Sequence, residues 1–448
     1  MTRDLALLTD LYELTMAQSY FQHRRVESAT FSLFIRSYPP DRGYFVSAGL
    51  DDVLTYLGDF GFEPSALEFL RGTGLFTESF LDFLAGLRFS GEVWAVPEGR
   101  LFFKDEPILE VTAPIIEAQV VETFIINQIN LQSLIATKAA RCVYAARGRA
   151  VVDFSLRRTH GIDAGMKVPR SSYLAGFAGT SNVLAGKRYG IPMVGTMAHS
   201  FVSSFDREID AFRAFVASFP ESSTLLIDTY DTIEGAQNAV KVGREMAARG
   251  QRLRGVRIDS GDLASLALEV RRILDLAGLH DVKIVASGGL DECDLESFSQ
   301  RGIPYDSYGV GTRMGVSADA PWFDVAYKLV EYDDRPVLKL STGKVSWPGK
   351  KQVFRVTDDR GRLVKDLIAL RGERFSEAKP LLEKVMENGK IIGRRPSLRE
   401  SRERFAEEFK CLDEAHKAIR SPSLYPVELS PELDSLRDSV GRQLQHAS

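Results

Sequence analysis

With 448 residues, 44% apolar and 26% charged, and with 36 Gly and 18 Pro, the chain has the makeup of a folded globular protein, which excludes collagenous and disordered readings. That length corresponds to about three ordinary domains, although an α/β barrel often exceeds that size as one. Fifty-seven Lys plus Arg against 61 Asp plus Glu leave a net charge of −4, so no general attraction to nucleic acid or an anionic membrane is expected and any anion site must be local.

Over residues 5–21 the apolar positions Leu8, Leu11, Met16 and Phe21, with Thr9 and Asp10 as cap residues, predict a short amphipathic helix. Strand-like runs at 30–35, 91–96 and 108–111, the last two separated by Pro97, Glu98 and Gly99, predict a small β-rich module. Residues 117–147 lack Gly and Pro and end at Gly148, which reads as a long helix or a helix pair. Beyond Gly148, short β-branched runs alternate with helix-length segments, as in a parallel sheet built from βα units. The candidate strands are 150–154, 192–196, 224–227, 255–258, 282–286, 306–309 and 325–329, enough for a closed or nearly closed barrel, with an open doubly wound sheet as the alternative. After Asp324 come hairpin-like runs at 327–332, 336–340 and 352–356, a mixed-charge helix near 398–409 and a polar tail. The expected organisation is an N-terminal α/β module over 1–148, an α/β barrel with the active site over 149–330, and a hairpin-rich segment, helix and tail over 331–448.

Polar and Gly-rich residues gather where these strands end, the face on which parallel α/β folds place their sites. In DFSLRRTHG, Asp153 to Gly161, a strand delivers Arg157 and Arg158 to a loop, and guanidinium forks suit carboxylates and phosphates. A surface ion pair would explain two arginines as well, but residues 164–205 contain no acid while holding Lys167, Arg170, Lys187, Arg188 and His199, a local well for an anion. GTMAHS places His199 just past a strand; an imidazole there can be base, phosphate acceptor or simply structural, and no second His or Cys stands at ligand spacing for a metal. Asp228 follows another strand. In RIDSGD, Asp259 could hold sugar hydroxyls or a phosphate-bound Mg²⁺, while Ser260 or Asp262 would cap the next helix. The DSG triplet has no second copy to make an aspartic protease, and Asp59, Phe60 and Gly61 lack the loops of a kinase. Ser287, Gly288 and Gly289, then Gly309, Gly311 and Thr312, close consecutive units with backbone that can approach phosphate oxygens. Cys142, Cys293 and Cys411 lie far apart with no paired spacing, and no run approaches the roughly 18 apolar residues of a membrane span; a soluble, cytoplasmic protein is expected.

TDLYELTMAQSYF, EAQVVETFIINQIN, DFSLRR, GTMAHSFV, LIDTYDT, VRIDSGDL, SGGLDE, YGVGT and YKLVEYDDRPVLKLS follow one another in an order that resembles the nicotinate phosphoribosyltransferase family along nearly the whole chain. The resemblance implies an N-terminal α/β module on an irregular phosphoribosyltransferase-type β/α barrel with a β-containing C-terminal segment. It also implies a homodimer with active sites across the subunit interface, and conversion of nicotinate and phosphoribosyl pyrophosphate to nicotinate mononucleotide and pyrophosphate, coupled to ATP hydrolysis.

Carried over residue by residue, the resemblance makes His199 the histidine that ATP phosphorylates and has Tyr12 stack on the pyridine ring from the neighbouring subunit against Phe154. Arg157, Thr196 and Arg257 would orient the substrate carboxylate and nearby phosphate, Asp259 would contact the ribose, and Ser287 to Gly289 with Gly309 to Thr312 would cradle the phosphoribosyl phosphate. Asp228 is counted with the substrate-binding residues, Mg²⁺ is expected only through substrate phosphates, and no structural zinc is carried over. Tyr12 follows from the resemblance alone; by pattern it is one residue of an amphipathic helix. An anionic ring substituent suits the acid-free stretch, whereas a nicotinamide enzyme would profit from a carboxylate acceptor. A sugar-phosphate lyase or aldolase would share the Gly loops but need a Schiff-base lysine, for which Lys328 is the candidate.

Overall fold

Short β-branched runs that cannot cover their own edges assemble side by side, and in residues 135–321 they do so strictly in parallel. The computed structural model describes residues 4–339 and 346–447. The chain divides into two units, one comprising everything up to Leu134 together with Trp322 onward, the other Ile135–Pro321.

In the second unit the ladder runs Gly179–Thr180, Ala150–Asp153, Ser307–Val310, Lys283–Ala286, Gly255–Ile258, Thr224–Leu226. Each strand pairs with its neighbour in chain order, and the earliest and latest lie side by side, with Val310 opposite Asp153. Pairing of the earliest strand with the latest is the strand order of a β/α barrel interrupted at one place. Thr180 adds one parallel bridge to Met193, and among the described residues no pairing joins that segment to Thr224–Leu226. The barrel is therefore irregular, open between its third and fourth positions. Residues 192–196, expected as a full strand, supply only this bridge: Pro192 has no N–H to donate, and the rung consists of Thr180 N to Pro192 O at 3.0 Å and Val194 N to Thr180 O at 2.9 Å.

Helices follow the strands and are capped by the residues at the rim. Asp231 accepts from Glu234 N ahead of Thr232–Ala247, Asp262 from Ala264 N and Ser265 N ahead of Leu263–Leu276, and Asp291 forms a reciprocal box with Asp294 ahead of Glu292–Gln300. Behind the rim, Glu292 is buried against Lys138 and Arg141, at 2.5 and 2.9 Å.

The first unit is built on a seven-stranded antiparallel sheet in which Ser28–Ile35 lies between Val325–Tyr332 and Leu109–Pro114. Nearly every side chain of Ser28–Ile35 is buried, and the core around it includes Leu33, Phe45, Val93, Phe80 and Phe102. Residues 325–329, read as a candidate barrel strand, belong here instead: Lys328 pairs with Ser32, antiparallel. A β-branched run declares a strand but not the sheet that recruits it. The expected N-terminal helix is a short 3₁₀ turn, Leu5–Leu7, then Leu11–Gln22; residues 117–147 form the pair Ile115–Val120 and Glu122–Ala145. The C-terminal part contributes a second sheet around Lys351–Thr357 and Leu363–Leu370, with Arg355 buried between Asp366 and Glu408. Burial, and then the nearby Asp366, drive Glu106 beside them well above the usual carboxylate range. The mixed-charge helix is Leu398–Cys411, opened by Ser397 and Glu400 as a capping box. Leu340, Ser341 and Gly343 of the expected hairpin region lie outside the described residues. No helix among the described residues is long and apolar enough to cross a membrane.

Candidate active site

Parallel register sets the site. Ala286 lies beside both Ile258 and Tyr308, and Val310 beside Asp153, so the residues that follow these strands emerge on one rim. Phe154, Asp228, Asp259, Ser287, Gly309 and Gly311 all stand there, and direct contacts run from one to the next.

The Phe154 ring lies over Gly309 so closely that a Cβ on that glycine would sit 2.5 Å from ring atoms Cδ2 and Cε2 and 3.3 Å from the Ser287 Cβ. Phe154 N donates to Val310 O at 2.9 Å. Behind it, the buried Asp153 takes Ser155 N and Oγ on one oxygen, at 2.9 and 2.5 Å, and Thr180 Oγ1 on the other at 2.7 Å. Among the described residues no cation pairs with it, and burial raises the carboxyl above its ordinary range against the pull of those donors. Asp153 thus braces the loop that carries Phe154 and Arg157.

Ser287 Oγ donates to Asp259 Oδ1. Asp259 N and Ser260 Oγ both donate to Asp228 Oδ2, at 3.0 and 2.5 Å, while Asp228 Oδ1 is buried without a partner among the described residues. His199 opens a short helix, its Nδ1 3.1 Å from Thr229 Oγ1 and its Nε2 3.9 Å from Asp259 Oδ2. Arg257 donates from Nη1 to Thr196 Oγ1 at 2.5 Å, and its Nε is buried without a partner among the described residues. Burial lowers the Arg257 pKa; Asp259 and Asp228 pull it back up, and the like charge of Arg157 lowers it again. Arg157 sits on the exposed 3₁₀ segment Leu156–Arg158, near enough to Arg257 to be felt.

The rim therefore brings together His199, Arg157, Asp259, Phe154, Thr196, Arg257, Asp228, Ser287, Gly309 and Gly311, with Gly288, Gly289 and Thr312 on the same turns. Tyr12 belongs to the other unit, on Leu11–Gln22, with its ring about half exposed. The cations of the acid-free stretch do not pool as expected: Lys167 is tied to Asp163 at 2.6 Å, and Lys187 and Arg188 stand exposed in the last turn of Val183–Tyr189. Lys328 lies within the antiparallel sheet of the first unit and is not at the end of a parallel strand, which removes the Schiff-base candidate. Thr229 was not singled out from the sequence; the motif LIDTYDT contained it, but nothing in spacing marks a threonine as the partner of an imidazole 30 residues earlier.

A cavity of about 610 Å³ lies elsewhere, within the first unit, lined among others by Arg100, Arg355, Arg404 and Glu408. Its arginines are committed: Arg355 to Asp366 and Glu408, Arg100 to Glu408, and Arg404 to Glu98 O.

Chemically, the rim offers two neighbouring guanidinium groups, backbone-rich turns, two carboxylates joined by hydroxyl donors, and an imidazole. Residues 7–130 match the model of the nicotinate phosphoribosyltransferase N-terminal domain, 149–339 that of the nicotinate phosphoribosyltransferase family, and 374–437 that of its C-terminal domain. The chain is 48% identical over 430 residues to nicotinate phosphoribosyltransferase pncB2 of Mycobacterium tuberculosis, covering 96% of this chain and 92% of that one. It is 37% identical over 459 residues to the nicotinate phosphoribosyltransferase of Bacillus subtilis, covering 96% and 93%. The crystal structure of human nicotinic acid phosphoribosyltransferase superposes with a TM-score of 0.87 at 30% identity, over 96% of this chain and 99% of that one. By sequence and by fold, the chain belongs to the nicotinate phosphoribosyltransferase family.

Proposed function

We propose that the protein joins nicotinate to phosphoribosyl pyrophosphate, giving nicotinate mononucleotide and pyrophosphate, with ATP hydrolysis coupled to the transfer. One observation carries the reading beyond family membership: Arg157 and Arg257, a like-charged pair, face the same rim as the Gly turns and Asp259. Such a pair suits a substrate with two separate anionic groups, and an aromatic acid reacting with a sugar phosphate has them.

In the reaction the pyridine nitrogen forms a bond to the anomeric carbon while the bond from that carbon to the pyrophosphate oxygen breaks, the electron pair leaving with pyrophosphate. Positive charge develops on the ribose, as in glycoside cleavage. Side chains do little covalent work in this step. Holding both reactants in line can supply roughly 7 to 11 kcal/mol. Arg157, Arg257 and Thr196 orient the nicotinate carboxylate and the nearby phosphate. Phe154 on one side and Tyr12 of a neighbouring copy on the other sandwich the ring, which requires a homodimer. Asp259, set by Ser287 and Asp228, takes the ribose hydroxyls, and the turns Ser287 to Gly289 and Gly309 to Thr312 present N–H groups to the sugar phosphate. Asp228 Oδ1, a buried acceptor without a partner, and Asp259 Oδ2 are chemically suited to face a Mg²⁺ brought by substrate phosphates. When bound, that ion would neutralise charge on the departing pyrophosphate.

His199 attacks the terminal phosphorus of ATP and ADP leaves; the phosphohistidine is hydrolysed later in the cycle. Thr229 fixes the imidazole for this, and Asp259 lies near the other nitrogen. The like-charged pair Arg157 and Arg257 favours the acid over the amide. A cytoplasmic setting suits the three free cysteines.

The deciding assay follows radiolabelled nicotinate into mononucleotide with and without ATP, beside nicotinamide and quinolinate. Nicotinate should be preferred and ATP should stimulate. His199→Ala should lose the ATP stimulation and retain some uncoupled synthesis; intact coupling in that variant would remove the phosphohistidine role.

A further inference from the structure

Thr180 ends the short strand Gly179–Thr180 at the edge of the parallel sheet, and separate segments of the chain meet on it. It is fully buried, and its Oγ1 donates to Asp153 Oδ2 at 2.7 Å and accepts from Asn182 N at 3.0 Å. Asp153 Oδ1 in turn takes Ser155 N and Oγ, at 2.9 and 2.5 Å, where the chain leaves Ala150–Asp153 for the turn Leu156–Arg158. The backbone of Thr180 holds a different segment: its N–H donates to Pro192 O at 3.0 Å, and its carbonyl accepts from Val194 N at 2.9 Å.

These bonds lie at the opening of the barrel. Residues 192–196 have Thr180 as a backbone partner on one side and, among the described residues, no ladder toward Thr224–Leu226 on the other. On that far side the segment meets the barrel through side chains, with Arg257 Nη1 on Thr196 Oγ1 and His199 Nδ1 beside Thr229 Oγ1. Arg157 stands two residues after Ser155, and Thr196 two residues after Val194. A carboxylate gripped at both oxygens cannot turn about its Cβ–Cγ bond, so the Thr180 hydroxyl sets the plane in which Asp153 receives Ser155. Burying an acid among hydroxyl and amide donors is costly, and packing alone does not require it.

We propose that Thr180 is a positioning residue for the nicotinate subsite: with its hydroxyl on Asp153 and its backbone on Pro192 and Val194, it holds the Arg157 turn and the Thr196 segment at one spacing across the barrel opening. The inference rests on the reading of Arg157 and Thr196 under Proposed function. Groups that grip one carboxylate from two segments must keep a fixed separation, and a displacement of about 1 Å at a reacting site can cost about a hundredfold. Losing one hydroxyl while the backbone bridge remains should cost less than that.

The test uses the full-length enzyme, with kcat and both KM values measured beside a thermal melt. Thr180→Val keeps the branched shape and the backbone bridge but removes the hydroxyl, and Thr180→Ser keeps the hydroxyl. Thr180→Val should raise the nicotinate KM about tenfold while kcat and the phosphoribosyl pyrophosphate KM change by less than about twofold. Thr180→Ser should recover most of that loss. In a chain already carrying Arg157→Ala, adding Thr180→Val should raise the nicotinate KM by less than about twofold, because the hydroxyl acts through the arginine it positions. An equal rise in both KM values, the same about tenfold rise on top of Arg157→Ala, or a Thr180→Ser as impaired as Thr180→Val would each overturn the inference. Should Thr180→Val fail to fold, Ser155→Ala removes one donor from the other Asp153 oxygen and should raise the nicotinate KM about threefold; an unchanged value there would overturn the inference as well. Arg157→Ala alone separates the two levels. If it leaves the nicotinate KM untouched, the reading of Arg157 fails. If it raises that KM while Thr180→Val does not, that reading stands and the positioning role of Thr180 falls.

Discussion

Arg157→Ala is expected to lower kcat/KM at least about a hundredfold while leaving the melting temperature unchanged or slightly raised. The asymmetry comes from what Arg157 does in the folded chain. It is exposed, it makes no side-chain hydrogen bond or ion pair among the described residues, and its charge repels that of Arg257. Removing it costs no packing and relieves a like-charge contact, so the stability change should stay within about 0.5 kcal/mol, as for surface substitutions generally. A hundredfold loss corresponds to about 2.7 kcal/mol of transition-state binding, the scale of a charge-assisted pair to a substrate anion. Arg157→Lys should recover only part, since a single ammonium cannot make two parallel bonds to one carboxylate. Steady-state kinetics with a thermal melt on each variant decides it: an unchanged kcat/KM would take Arg157 out of the site.

What the sequence disclosed and what it hid follow one physical rule. Residues whose role is fixed by the strand they follow were legible, because a short β-branched run ending in polar or Gly residues reports a strand end whatever lies beside it. Asp228, Asp259, Ser287 and Gly311 are of this kind, and all stand at the rim. Partnerships were hidden. That Asp153 accepts from Thr180, 27 residues later, and that Thr229 meets His199 depend on which strands become neighbours. The same limit explains residues 325–329: their composition announced a strand, and the choice of an antiparallel partner, Ser28–Ile35, was made by packing in the other unit. At 192–196 the sequence did hold the warning, since Pro192 cannot donate to a ladder. Tyr12 lay further out of reach, because it ends no parallel strand and only the resemblance drew attention to it.

The rim depends on close backbone contact as much as on side chains, and Gly288→Ala should expose that. Gly288 holds φ at +96°, and a Cβ built on it would lie 1.8 Å from the backbone oxygen of Asp259. An alanine there meets two costs: the left-handed conformation, about 1 to 2 kcal/mol, and a collision with the backbone carbonyl just past the end of the neighbouring strand Gly255–Ile258. The turn has to retreat by more than about 1 Å, and a displacement of that size at a reacting site can cost about a hundredfold in rate. Retreat would also pull Ser287 off Asp259 Oδ1, freeing the carboxylate proposed to face the ribose. The expected result is a loss in kcat/KM of at least about a hundredfold together with a weaker grip on phosphoribosyl pyrophosphate, read by titration of the donor alone. Gly302→Ala supplies the comparison: its φ is +66°, no atom lies within 4 Å of the added carbon, and it should carry a backbone penalty of similar size with kcat/KM intact. If Gly288→Ala loses stability to the same extent as Gly302→Ala and keeps its activity, the turn after Lys283–Ala286 does not cradle the donor, and the phosphate must be held elsewhere on the barrel.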